Sequence, residues 1–186
     1  MKELVDSGER MIPPEENEIS FVFARHKFAY QYTANFVKDK HVLDVGCGTG
    51  YGCGIMSKTA QYVCGIDYDS STLNYCAQNY KNHKTDFVQM AATSLALRKN
   101  FDVVVSFQVI EHIENSSKYI DQLKRVTKQG GLIIISTPNV KQTHSSTVTS
   151  PFHTNEFDLK SFKELIKHNF SSYEILGIGY AKHNFF

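Results

Sequence analysis

The chain has 186 residues with acids and bases nearly balanced, for a formal net charge of +1. That length suits one domain around one core, and the charge balance leaves no electrostatic footprint for a nucleic acid or an anionic membrane. Met1-Lys-Glu-Leu-Val-Asp6 has no apolar signal region and no stretch reaches membrane-spanning length, so a soluble, cytoplasmic protein is expected. Cys47, Cys53, Cys64 and Cys76 form no C-x-x-C pair, which argues against a zinc knuckle or a dithiol redox site and for reduced thiols.

Met11-Ile-Pro-Pro-Glu-Glu-Asn17 is broken by proline, so the chain before it is expected to be extended. From Ile19 to about Lys38, Phe21, Phe28, Tyr32 and Phe36 recur at helical spacing, with Val22, Ala29 and Val37 beside them. Val42 to Val45 reads as a short buried strand, followed by a glycine-rich turn and a helix continuing through Ile55 to Ala60. Tyr62 to Ile66 is a second strand that ends at Asp67. Ser70 or Ser71 caps a helix running to Tyr80, and Asp86 to Gln89 is a third strand. Phe101 to Ser106 is a fourth, rich in β-branched residues and buried on both faces. A helix from about Ser117 to Lys128 is stopped by Gly130-Gly131. Leu132 to Ser136 is a fifth strand, closed by Pro138. After a polar loop, Asp158 caps a helix to about His168, and Tyr173 to Ile178 is a last strand. Strands alternating with helices predict an α/β fold: a doubly wound, mostly parallel sheet with helices on both faces.

In such sheets a ligand lies beyond the carboxyl ends of the strands, where the strand order reverses. The first strand-to-helix turn is Asp44-Val-Gly-Cys-Gly-Thr-Gly50. Gly46, Gly48 and Gly50 remove Cβ atoms, so a ligand can approach the backbone. The dinucleotide spacing G-x-G-x-x-G fails in both registers, because its last glycine falls on Tyr51 or on Cys53. An acid at Asp44 repels a pyrophosphate and suits a cationic ligand. S-adenosylmethionine (SAM) carries a sulfonium and an ammonium and no phosphate. Asp67, at the end of the second strand, stands where an acid accepts hydrogen bonds from ribose hydroxyls. Tyr68 follows it, placed to lie against an adenine face.

Taken together, Val42-Leu-Asp-Val-Gly-Cys-Gly-Thr-Gly50, Gly65-Ile-Asp67, Phe101-Asp-Val-Val-Val-Ser-Phe107 and Lys128 to Pro138 resemble the motifs of the seven-strand, class I SAM-dependent methyltransferases. Gly8-Glu-Arg-Met-Ile-Pro13, Arg25-His-Lys-Phe-Ala29, Ile110-Glu-His-Ile113 and Pro151-Phe-His-Thr-Asn-Glu156 further resemble a bacterial subgroup associated with polysaccharide functions. The resemblance implies SAM as cofactor and S-adenosylhomocysteine as product. It implies that Asp44, Gly46, Cys47, Gly48 and Gly50 hold the methionine part, that Asp67 holds the ribose, and that Ala91 and Ala92 adjoin the adenine. Many members have an Asp where this chain has Ala91, so adenine recognition must rely on backbone or on another side chain. Phe107 falls beside the transferred methyl. Residues 1–40 are expected to form a helical cap over the cofactor and residues 41–186 the SAM-binding core. The family's final antiparallel strand is expected to be missing or shortened.

Methyl transfer from a sulfonium needs alignment and, for a hydroxyl acceptor, a base. Gln108-Val-Ile-Glu-His112 follows the fourth strand directly, and His112 is the preferred base, with Glu111 beside it. His153, in the long loop after the fifth strand, is the second candidate. Two histidines and a carboxylate can also hold a divalent metal. Gln108 stands where the pattern E-x-x-E-H has its first acid, so no metal is assigned. The expected function is methyl transfer to an oxygen or nitrogen of a small molecule, with a sugar or polysaccharide precursor in view, by a monomer or homodimer. The alternative is a catalytically inactive SAM-binding regulatory or partner protein.

Overall fold

The strands that read as continuous apolar runs pair as one parallel sheet, and everything else is arranged by what covers its two faces. The computed structural model describes residues 20–143 and 152–179. In chain order it has α1 (Phe21–Thr33), β1 (His41–Val45), α2 (Tyr51–Met56), β2 (Tyr62–Asp67), α3 (Ser70–Tyr80), β3 (Thr85–Gln89), β4 (Phe101–Phe107), α4 (Ser116–Val126), β5 (Thr127–Ser136), α5 (Val140–Thr143) and α6 (Leu159–Asn169). Single 3₁₀ turns follow α1 at Ala34–Phe36 and β4 at Ile110–His112. The strand order is β3-β2-β1-β4-β5, all parallel, so the order reverses between β1 and β4.

The pleat sends alternate residues to opposite faces. From β1, Val42 joins Tyr30, Cys53, Met56, Val63, Val103 and Phe107 on the side of α1 and α2. Leu43 and Val45 join Ile66, Val104, Ile120, Leu123 and Ile166 on the side of α4 and α6. Helices therefore cover both faces, as the alternation of elements predicts.

The structure corrects several local expectations. Phe21, Phe28, Tyr32 and Phe36 are exposed, and α1 buries Ala29, Tyr30 and Thr33 instead. The helix is aromatic all round, so tertiary contact selects the face: the Tyr30 hydroxyl donates to Asp44 on β1 at 3.2 Å, and its ring lies over Gly52 of α2. The cap of α3 is Asp69, whose carboxylate accepts from the Ser71 N–H at 2.8 Å and from the Thr72 hydroxyl. A carboxylate outcompetes the neighbouring serines for an amide at the helix N-terminus. Helix α2 stops at Met56, short of the expected Ala60, and α4 stops at Val126. Gly130 and Gly131 lie inside β5, where the register to β4 shifts between Phe101 and Val103 and Gly130 takes a φ of 74°. Their freedom serves a bulge, not a helix stop.

Asp158 caps α6 as expected, in a reciprocal pair with Ser161. Tyr173 to Ile178 joins no ladder, so among the described residues β5 is an edge strand and no antiparallel strand follows it. Residues 1–19, which carry part of the expected cap, and Tyr180 to Phe186 lie outside the described residues.

Candidate active site

A cleft of about 430 Å³ opens at the carboxyl ends of the strands, on the reversal between β1 and β4. Its lining unites residues that are distant in sequence: Gly46, Cys47 and Gly48 after β1, Asp67 and Tyr68 after β2, Ala91 and Ala92 after β3, and Phe107 on β4. Glu111, His112 and His153 line the same cleft. Of the residues expected at the site, only Asp44 and Gly50 are not part of the lining.

The glycine turn is shaped from beneath and from the side. Gly46, Gly48 and Gly50 all take positive φ, which L side chains adopt only under strain. A Cβ at Gly46 would meet Val109, and one at Gly50 would meet Cys76 and Phe87, so these two glycines make room for the protein's own atoms. Only at Gly48 is the space open within 4 Å. The Gly48 N–H donates to Asp67 Oδ2 at 3.0 Å, and the Asp69 N–H donates to Asp67 Oδ1 at 3.1 Å. Asp67 thereby ties the turn to the end of β2. Each of its oxygens retains acceptor capacity toward the cleft.

Asp44 sits below the turn. Strand parity places its carboxylate on the α1 and α2 side, where Tyr30 donates to Oδ1 and the Cys53 thiol donates to Oδ2 at 3.3 Å. Burial pushes its carboxyl up to about 7, and the two hydrogen bonds hold it back only in part. The acid expected to face a cation does not line the cleft; its carboxyl is taken up by Tyr30 and Cys53 beneath the turn.

Two residues that the sequence did not single out complete the wall. His26 of α1 and Tyr51 at the start of α2 line the cleft, and the His26 Nδ1 hydrogen-bonds the Tyr51 hydroxyl. Burial pulls the His26 imidazole down to about 4, against the Phe107 carbonyl, which raises it. At neutral pH His26 is therefore uncharged. Its ring lies edge-on to Tyr30 and Phe107. The signal available for His26 was the segment Arg25-His-Lys-Phe-Ala29, which resembles the subgroup but was not assigned to the site. Met90 and Thr93 line the same cleft beside Ala91 and Ala92.

At the other wall, Gln108 takes a φ of 56°, a conformation rare for a residue with a Cβ. Its N–H donates to the Ser136 carbonyl and its amide to the Ser136 hydroxyl, at 3.0 and 3.2 Å. The 3₁₀ turn that follows buries Glu111. Burial pushes the Glu111 carboxyl up to about 7. The loop after α5 is fastened to this turn: the N–H groups of Thr154 and Asn155 both donate to the Glu111 carbonyl, and the Asn155 amide donates to the Ile113 carbonyl. His112 Nδ1 donates to the Phe152 carbonyl at 2.9 Å. These bonds bring the His112 and His153 rings to 5.1 Å, across a gap in sequence that no periodicity could bridge.

A family model described as a methyltransferase domain matches residues 43–135. The chain belongs to the class I SAM-dependent methyltransferases. A probable S-adenosylmethionine-dependent methyltransferase of Mycolicibacterium smegmatis is 36% identical over 166 residues, covering 87% of this chain and 63% of that protein. A ubiquinone biosynthesis O-methyltransferase of Rickettsia bellii is 32% identical over 136 residues, 71% of this chain and 55% of that protein. The chain thus spans about three fifths of the length of these curated relatives. The YcgJ protein of Bacillus subtilis shares the fold, with a TM-score of 0.67 at 21% identity over 77% of this chain and 68% of its own. The methyltransferase's cofactor is SAM. No helix among the described residues is long and apolar enough to cross a membrane.

Proposed function

We propose that this methyltransferase binds SAM in the cleft at the strand reversal and transfers its methyl group to an oxygen or nitrogen of a small-molecule acceptor. The observation that carries the reading is the lining of that one cleft. The expected methionine, ribose and adenine contacts (Gly46 to Gly48, Asp67, Ala91 and Ala92) share it with the polar cluster Glu111, His112 and His153. A methyl donor on the first set presents its sulfonium to an acceptor held near the second. The cluster then deals with the acceptor's proton, and His26, Tyr51 and Phe107 wall the site from water. The sequence resemblance favours a sugar or polysaccharide precursor as acceptor, and the Rickettsia relative's name favours oxygen over nitrogen. Location in the cytoplasm and action as a monomer or homodimer, without nucleic acid, belong to the same proposal.

The test supplies methyl-labelled SAM with panels of hydroxylated and amino small molecules, nucleotide sugars included. S-adenosylhomocysteine is expected to form in step with a labelled product from at least one panel. SAM binding with no turnover on any panel would favour the inactive, partner-type alternative.

A further inference from the structure

Glu111, His112 and His153 bring a carboxylate oxygen and two imidazole nitrogens within 4.8 Å of one another. Glu111 is 1% exposed, and its Oε2 has no hydrogen bond of full geometry among the described residues, with the Thr137 hydroxyl the side chain that acts on the carboxyl from nearby. A buried carboxylate oxygen in that state is costly unless a proton or a cation joins it. The hydrogen bond from His112 Nδ1 to the Phe152 carbonyl fixes that ring's neutral tautomer and puts the lone pair on Nε2. Glu156 Oε1 stands 3.9 Å from His153 Nδ1. Support of one ring nitrogen by a carbonyl or a carboxylate orients the other nitrogen toward a metal. The bonds from Thr154 and Asn155 to the Glu111 carbonyl hold the loop in place, so the cluster is built by two fastened segments.

In the sequence, Gln108 stood as a missing ligand. The structure engages its amide with Ser136 and supplies the third donor from His153.

We propose that Glu111, His112 and His153 bind one divalent first-row transition cation, whose remaining coordination positions face the cleft. Two imidazoles and one carboxylate suit manganese, iron, cobalt or zinc better than magnesium or calcium, which prefer oxygen donors alone. The bound cation takes the acceptor oxygen as a further ligand, and this half of the proposal rests on the methyl-transfer reading. Coordination lowers the pKa of the acceptor hydroxyl, which gives its proton to water, so that the cluster handles the acceptor's proton as metal ligands and not as a base. The resulting alkoxide attacks the methyl carbon. The carbon–sulfur bond breaks, its electron pair stays on sulfur, and the sulfonium becomes the neutral thioether.

The test titrates the chelator-treated chain with Co²⁺, read by visible d–d absorption, and with Mn²⁺, read by loss of the free-ion paramagnetic resonance signal. One ion per chain is expected, and His153→Ala and Glu111→Gln are each expected to weaken binding at least about tenfold. Circular dichroism of the metal-free variants checks that they are folded, and Glu111→Gln keeps the side-chain shape if His153→Ala does not. Absence of saturable binding of either ion, or folded variants that bind as the wild type does, would overturn the site. A SAM titration of the same metal-free sample separates the two readings: metal uptake without SAM binding contradicts the cofactor assignment and leaves the metal site standing.

Discussion

Asp67→Ala is expected to weaken SAM binding about a hundredfold. The wild-type carboxylate accepts from the Gly48 and Asp69 N–H groups and still has lone pairs toward the cleft, where a ribose diol would donate. Hydrogen bonds to a charged group are worth about 1.5–3 kcal/mol each, and a loss of about 3 kcal/mol corresponds to roughly a hundredfold in affinity. The substitution also releases the Gly48 N–H, so the turn that should meet the methionine part loses its tie to β2. Asp67→Asn keeps one carbonyl acceptor and is expected to lose about tenfold. Calorimetric titration with SAM checks both, alongside thermal unfolding to show that the variants are folded. Affinity within about threefold of wild type in folded Asp67→Ala would detach this residue from the cofactor.

Gly52→Ala is expected to destabilise the fold by about 2–3 kcal/mol, in the range of other overpacked cores. A Cβ at this position would run into the Tyr30 ring. That ring is 1% exposed, anchored through its hydroxyl to Asp44, and enclosed by Tyr51 at 5.5 Å and Phe107 at 4.8 Å between centroids. It has nowhere to swing, so α1 must shift away from α2. For a chain of this size the melting temperature falls by about 5–10 °C. Because His26 and Tyr51 ride on the same two helices, SAM affinity is expected to fall with it. A melting temperature unchanged from wild type would show that α1 packs on α2 more loosely than the structure has it.

The order of strands and helices was legible because parallel strands buried on both faces leave uninterrupted apolar runs, such as Phe101 to Phe107. The glycine turn was legible as a motif, and all three of its glycines take positive φ; Asp67 was legible as an acid at a strand end, and it lines the cleft. The face of α1 was not legible. Phe21, Phe28, Tyr32 and Phe36 keep helical spacing as well as Ala29, Tyr30 and Thr33 do, and only Asp44 and Gly52 decide between them. The direction of the Asp44 side chain was not legible for a related reason. In a strand apolar on both sides, the pattern does not reveal which way a single acid points. His26 and Tyr51 meet through helix packing, which leaves no trace in local sequence; His153 and His112 were legible as candidates at one edge of the sheet, but the loop hydrogen bonds that bring their rings together were not. The last strand failed because Tyr173 to Ile178 has the composition of a strand but, among the described residues, no partner ladder.

A turn that lacks dinucleotide spacing is expected to hold a cationic cofactor. The most direct measurement is calorimetric titration of the wild-type chain with SAM, S-adenosylhomocysteine and NAD in one buffer. Saturable binding of SAM and S-adenosylhomocysteine at one site per chain, with no heat from NAD, is the predicted result; binding of NAD without SAM would contradict it.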